Sequence, residues 1–281
     1  MLELNNVYNM DCIEGMKQLL KQGIKVDCII TDPPYNISVE GKVLKRDKPN
    51  CKTSRKTSIK FDFGEWDRMD NKEYEKFIEE FVELSTQLLK PGGAVLCWFA
   101  KEKISWLADL FAKNGIKNKT ILTWHKTNPT PQFRITNYLS ASEFCYYGIK
   151  EGGQYTFNFT KQTDMHNVID YPNASIYGET DHPTEKPLYI INKLVNIHTN
   201  KGDIVLDCFM GSCTTAVSCH RLQRKFIGFE KDKHNFEVGT ARLKKAQSQL
   251  SIFDMEGNLW KGCYQSVVIL FINAHWQNWL S

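Results

Sequence analysis

The run Val26-Asp27-Cys28-Ile29-Ile30-Thr31 passes directly into Asp32-Pro33-Pro34-Tyr35, and this junction restricts the fold more than any other feature of the chain. A short, largely apolar run bounded by a turn signal reads as a buried strand. It must end at the prolines, since each lacks the N–H that a sheet ladder uses and holds its own φ fixed. A carboxylate, a rigid carbonyl and an aromatic ring are thus delivered together to the carboxyl end of a strand.

Strand and helix signals alternate through the rest. From Asp70 the residues Phe77, Phe81, Leu84 and Leu88 recur at helical spacing, Asp70 with Glu73 resembles a capping box, and Pro91-Gly92-Gly93 marks a stop. These signs predict an amphipathic helix. Residues 93–100 then read as a strand, 102–114 as a helix, and 119–124 and 143–149 as strands. Residues 128–138 hold two prolines and no period, and 150–181 are polar and irregular. There follow a helix over 188–198, a strand over 204–206, a helix near 213–222, a strand over 226–229 and a helix near 233–249. Such alternation implies a doubly wound α/β fold with a mostly parallel sheet. The expected organisation is one domain over 1–254, with a loop insertion at 38–60 and a short variable region near 150–181. A tail, 255–281, shows no cap, heptad or charge pattern and reads as an appended or frame-shifted end.

Asp32-Pro33-Pro34-Tyr35 fits the methylation of an exocyclic amine. The lone pair of such an amine is delocalised into its ring. Hydrogen bonds from its N–H groups return density to the nitrogen, and Asp32 and the Pro33 carbonyl are two suitable acceptors. Pro33 and Pro34 hold them with little reorganisation. Tyr35 offers a face on which an extruded base can stack, worth about 1–3 kcal/mol. Taken alone, the tetrapeptide also reads as a proline turn after a strand.

A second segment, Asp207-Cys208-Phe209-Met210-Gly211-Ser212-Cys213-Thr214-Thr215, follows the strand Ile204-Val205-Leu206 and opens a helix. Strand, glycine turn and helix start form a nucleotide-type pocket. Further on, the strand Phe226-Ile227-Gly228-Phe229 ends at Glu230, where an acid can accept ribose hydroxyls. A single glycine is weaker than a full dinucleotide fingerprint, so a plain strand-to-helix connection is the alternative.

Together these segments resemble the amino-methylating DNA methyltransferases of the permuted type, in which the catalytic motif precedes the cofactor motif. The resemblance runs to about Asp254. It includes Asn9-Met10-Asp11-Cys12, Leu89-Lys90-Pro91-Gly92-Gly93, Trp124-His125-Lys126-Thr127-Asn128-Pro129 and His182-Pro183-Thr184-Glu185-Lys186-Pro187. It implies a Rossmann-like fold that binds S-adenosyl-L-methionine, with Asp32, Pro33, Pro34 and Tyr35 as catalytic residues. By the same resemblance Asp11 and Cys12 would lie near the cofactor's adenine and Glu230 on its ribose. Asp207, Phe209, Gly211, Ser212 and Thr214 would surround its methionine part, and His182, Thr184 and Lys186 would complete the pocket. Adenine N6 is expected as the target, because in this family an aspartate at the head of the tetrapeptide more often accompanies adenine than cytosine. Two positions depart from the family pattern: Cys208 stands where proline is usual, and Cys213 where a second glycine is usual. Side chains there would narrow the cofactor pocket or weaken cofactor binding.

Charge points the same way. Residues 38–60 carry eight cations against Glu40 and Asp47, whereas the whole chain has a net charge of only +4. Beside the catalytic mouth, this run is expected to meet the phosphates of double-stranded DNA through Lys45, Arg46, Arg55 and Lys56, with Arg134 as a further contact. Gln249-Leu250-Ser251-Ile252-Phe253 looks like the short peptide by which DNA-processing proteins dock on bacterial sliding clamps, but reads first as a helix end packing back on the core. A homodimer sharing the duplex is compatible with so short a variable region. The nine cysteines form no C-x-x-C pair, which fits reduced thiols in a cytoplasmic protein. Cys208, Cys213, Cys219 and His220 match no zinc spacing, so no metal is expected. No apolar run approaches the roughly 20 residues of a membrane span. Cytosine N4 methylation, methylation of RNA or of a protein amide, and a DNA-binding module with an inactive cofactor pocket remain as alternatives.

Overall fold

The computed structural model describes residues 1–36, 43–44, 59–60, 69–130, 137–173 and 185–248. The chain divides into two compact units, Met1–Leu243 and Lys244–Ser281, and the sheet belongs to the first. In chain order the elements are β1 (Asn6–Asn9), α1 (Cys12–Lys21), β2 (Val26–Thr31), β3 (Val43–Leu44), β4 (Ile59–Lys60), α2 (Asn71–Leu88), β5 (Leu89–Phe99), α3 (Ile104–Lys113) and β6 (Ile116–Lys126). They continue with β7 (Ser142–Lys150), β8 (Val168–Tyr171), α4 (Leu188–His198), β9 (Ile204–Asp207), α5 (Thr214–Arg221), β10 (Lys225–Glu230) and α6 (Lys233–Ser248).

The main sheet has eight strands in the order β1-β10-β9-β2-β5-β7-β6-β8, and β3 pairs with β4 separately. Every pair in the main sheet is parallel except β5 with β7 and β6 with β7. From β9 the chain moves through α5 to β10, on one side; from β2 it moves through α2 to β5, on the other. The carboxyl ends of β2 and β9 therefore flank a topological switch point, where open α/β sheets bind ligands.

Alternation along the strands sorts the core. Ile29, Val95, Cys97, Leu206 and Ile227 are buried in one cluster with Met16, Tyr74, Phe81 and Phe111 of the first three helices. Their neighbours Cys28, Ile30, Leu96 and Val205 are equally buried and point to the opposite face. Helix α4 packs on α5 and on β2. Asp70 caps α2, accepting from the Lys72 N–H at 3.1 Å, as its sequence position predicts. Asp11 does the same for α1, accepting from the Ile13 N–H at 3.0 Å. In α1 a Cβ at Gly15 would come within 2.4 Å of the Phe229 ring, so only glycine lets this helix lie so close to β10.

The predicted elements are present, with shifted boundaries: β6, expected over 119–124, spans Ile116–Lys126. The strand predicted over 93–100 already begins at Leu89. Its pairing with β2 jumps from Val26–Leu89 to Cys28–Ala94, so Lys90-Pro91-Gly92-Gly93 forms an irregularity within the strand. Five of these elements have no counterpart in the sequence reading: β1, α1, β3, β4 and β8.

Candidate active site

The ends of β2 and β9 are tied together by one hydroxyl. Thr31 Oγ1 donates to Asp207 Oδ1 at 2.8 Å and accepts from the Cys208 N–H at 3.1 Å. The same Asp207 oxygen accepts from the Phe209 N–H at 3.1 Å. Burial pushes the Asp207 carboxyl up to about 6, against these hydrogen bonds, which favour its charged form. Asp32 and the glycine turn thereby start from adjacent, locked strand ends.

The turn after β9 needs left-handed backbone twice, at Gly211 with φ +47° and at Cys213 with φ +59°. The Gly211 N–H donates to Glu230 Oε2 and the Asp232 N–H to Glu230 Oε1, both at 2.8 Å. Burial raises the Glu230 pKa. Next to it, Lys231 pairs with Asp11 at 3.2 Å, bringing the cap of α1 to the same rim. Behind the turn, Arg242 donates to the Ser212 carbonyl at 3.1 Å and to Thr214 Oγ1 at 2.8 Å, and pairs with Glu185 at 2.9 Å. Arg242 and Glu185 are almost completely buried. The sequence reading gave neither a role, although Gly239, Arg242 and Leu243 share the inward face of α6, an unusual place for an arginine.

Cys213 does not narrow the cavity as expected: it is fully buried and does not border it, its sulfur lying against Gly239. Cys208 does border the cavity, with its thiol 3.5 Å from Met16 Sδ in the core.

On the β2 side, Asp32 is half-buried and both its oxygens are engaged. Tyr35 donates its phenol to Asp32 Oδ1 at 2.8 Å, and Lys186 donates to Asp32 Oδ2. The Lys186 ammonium also lies 3.1 Å from Glu143 Oε2, and Glu143 Oε1 lies 2.6 Å from Lys126. Burial works against the charge on Lys186, but Asp32 and Glu143 outweigh it and hold the ammonium above the usual lysine range. Burial likewise opposes the charge on Glu143, and Lys186 with Lys126 bring its pKa below the ordinary carboxylate value. Burial and then Asp32 keep the Tyr35 phenol protonated. From α2, Tyr74 donates to the Pro34 carbonyl at 2.9 Å and fixes the tetrapeptide from beneath.

A cavity of about 770 Å³ joins the two halves. It is bordered by Asp11, Cys12, Asp32, Pro33, Pro34, Tyr35, Lys186, Asp207, Phe209, Gly211, Ser212, Thr214 and Glu230, which are all the predicted catalytic and cofactor residues that the structure describes. Lys186 borders it beside the end of β2, its ammonium on Asp32. His182, Thr184, Lys45, Arg46, Arg55, Lys56, Arg134, the 249–253 peptide and the tail 255–281 lie outside the described residues. Lys126, Glu143, Tyr74, Glu185 and Arg242 are the additional polar residues that the geometry brings in.

Residues 26–241 match the family model for DNA methylases that modify N6 or N4 amines. The chain belongs to this DNA methylase family. The methylase is 28% identical over 247 residues to the Type II methyltransferase M2.MboI of Moraxella bovis, covering 84% of this chain and 86% of that one. To the Type II methyltransferase M2.DpnII of Streptococcus pneumoniae it is 28% identical over 230 residues, covering 78% and 82%. Among solved structures it is similar to M1.HpyAVI in complex with SAM, with a TM-score of 0.67 and 30% identity over 85% of this chain and 98% of that one. The cytosine-N4-specific PvuII DNA methyltransferase has the same fold, with a TM-score of 0.61 at 16% identity, over 86% and 90%.

Proposed function

We propose that this DNA methylase transfers the methyl group of S-adenosylmethionine to N6 of an adenine turned out of double-stranded DNA. The observation that carries the reading is the placement of Asp32, after its strand and beside the glycine turn, on the wall of one cavity. The donor set fits the cofactor: Asp11 and Glu230 offer carboxylates for hydroxyl and amine groups, and the turn from Phe209 to Ser212 offers backbone. When bound, the cofactor supplies a methyl group activated by a positive sulfur.

The protein's own residues do the rest. The Asp32 carboxylate and the Pro33 carbonyl accept hydrogen bonds from the two N–H groups of the amine, returning electron density to nitrogen and fixing its direction, and one of these protons leaves to solvent once the nitrogen carries the methyl group. The Pro34 carbonyl is already taken by Tyr74, which keeps the segment rigid. Tyr35 stands edge-on to Phe99, with ring centroids 6.1 Å apart, and serves the extruded base as a wall. The positive residues Lys45, Arg46, Arg55 and Lys56 hold phosphates of the duplex, and Arg134 is a further contact. Adenine is preferred over cytosine on the resemblance alone, in which an aspartate heading this tetrapeptide more often accompanies adenine; the acceptors would serve either amine.

Transfer of labelled methyl from S-adenosylmethionine to unmethylated genomic DNA, followed by nucleoside mass spectrometry, tests the reading. N6-methyladenine is the expected product. N4-methylcytosine would keep the mechanism and overturn the base, and label found only on RNA or protein would overturn the substrate class.

A further inference from the structure

Asp32 does not stand alone in the cavity. Four side chains from distant parts of the chain form an alternating series: Lys126 at the end of β6, Glu143 at the start of β7, Lys186 before α4, and Asp32 after β2. Two tryptophans lie beneath the lysines. Lys126 is 5.0 Å from the ring centre of Trp124 and Lys186 is 5.4 Å from that of Trp98, and the two rings meet edge to face at 6.5 Å. Lys186 retains only 10% of its side-chain exposure, so water cannot replace a missing anion there.

An ammonium bound to Asp32 alone would fix that carboxylate but also draw off its charge, weakening it as an acceptor for the amine. A second carboxylate on the far side shares the ammonium. Glu143 is placed for this, and Lys126 holds its other oxygen at 2.6 Å. We propose that Glu143 is a positioning residue for methyl transfer: acting through Lys186, it sets the place and the effective charge of Asp32. The inference rests on the reading of Asp32 as the acceptor of the amine.

Single-turnover transfer by the full chain provides the test, with wild type, Glu143→Gln, Lys186→Met and the double variant compared, and cofactor affinity and melting temperature measured alongside. Glu143→Gln is expected to lower the rate of transfer toward the roughly 100-fold that a misplaced group can cost. Cofactor affinity should stay within about threefold. In the Lys186→Met background the same change should cost less than about threefold, because the residue through which Glu143 acts has gone. Equal loss in both backgrounds, or no loss in the wild-type background, would overturn the proposal. If Glu143→Gln melts far below the wild type, Lys126→Met takes its place, with the same dependence on Lys186 expected. Failure of the wild type itself to methylate DNA would strike the reading of the reaction instead, and is read separately.

Discussion

Thr31 Oγ1 donates to Asp207 Oδ1 across 2.8 Å, joining two residues 176 positions apart at the point where the sheet changes direction. Asp32, one residue after the first, heads the Asp32-Pro33-Pro34-Tyr35 segment, and Asp207 opens the glycine turn. Replacing the hydroxyl with a methyl, Thr31→Val, leaves a buried carboxylate oxygen and the Cys208 N–H each without this partner. A loss of about 1–3 kcal/mol is expected in urea unfolding. A variant as stable as the wild type would show that the two strand ends are held by packing alone.

The Asp207 carboxyl, pushed up to about 6 by burial, makes stability depend on pH. Its folded value lies above the ordinary 3.8, so the native state binds a proton that the unfolded chain has released. This contribution is complete below about pH 4 and is lost as pH rises through about 6. Asp207→Asn removes the cost of burying charge. The unfolding free energy of the variant relative to the wild type should therefore rise between about pH 4 and about pH 6 and level off above that, by about 1.4 kcal/mol per unit of displaced pKa. A difference that does not change with pH would contradict the assignment.

Behind the glycine turn, Arg242 and Glu185 form a buried pair 2.9 Å apart. Removing one partner takes this ion pair from the other buried charge, so Glu185→Leu and Arg242→Met should each lower stability in chemical denaturation, by on the order of 3 kcal/mol, and the double change should cost less than the two together. Since Arg242 also holds Ser212 and Thr214, calorimetry should show weaker S-adenosylmethionine binding by Arg242→Met. Additive losses in the double variant would mean that the pair is not coupled.

Cys213 occupies left-handed backbone, with φ +59°, where the resemblance leads one to expect glycine. Cys213→Gly relieves the strain and Cys213→Ala keeps it. The glycine variant should therefore unfold at higher denaturant than the alanine variant, by about 1 kcal/mol in stability. The reverse order would mean that the local conformation carries no such cost.

These relationships were legible in the sequence to different degrees. The prolines after Thr31 and the single glycine after Phe209 announce their turns locally, because each imposes a backbone conformation that can be read from neighbouring residues. Of the strands that the sequence does not announce, β1 and β8 are the two edges of the main sheet. Each is four residues long and half-exposed, so neither carries the apolar run that marks a central strand. Helix α1 was obscured because Asp11 was read as a cofactor residue, while it also caps the helix. Lys186 shows the other kind of limit. The resemblance gives it to the cofactor pocket, whose cavity it borders, but its ammonium also meets Asp32, 154 residues away, a pairing that sequence spacing does not show.

Asp32 is the residue on which the account of the reaction turns. The most direct measurement is the single-turnover rate of methyl transfer to unmethylated duplex DNA by wild type and by Asp32→Ala, with S-adenosylmethionine affinity measured in parallel. The expected result is N6-methyladenine from the wild type and a rate lower by a factor on the order of 1,000 for Asp32→Ala, at similar cofactor affinity. Transfer by Asp32→Ala within about tenfold of the wild-type rate would contradict the role of this carboxylate as the acceptor that activates the amine.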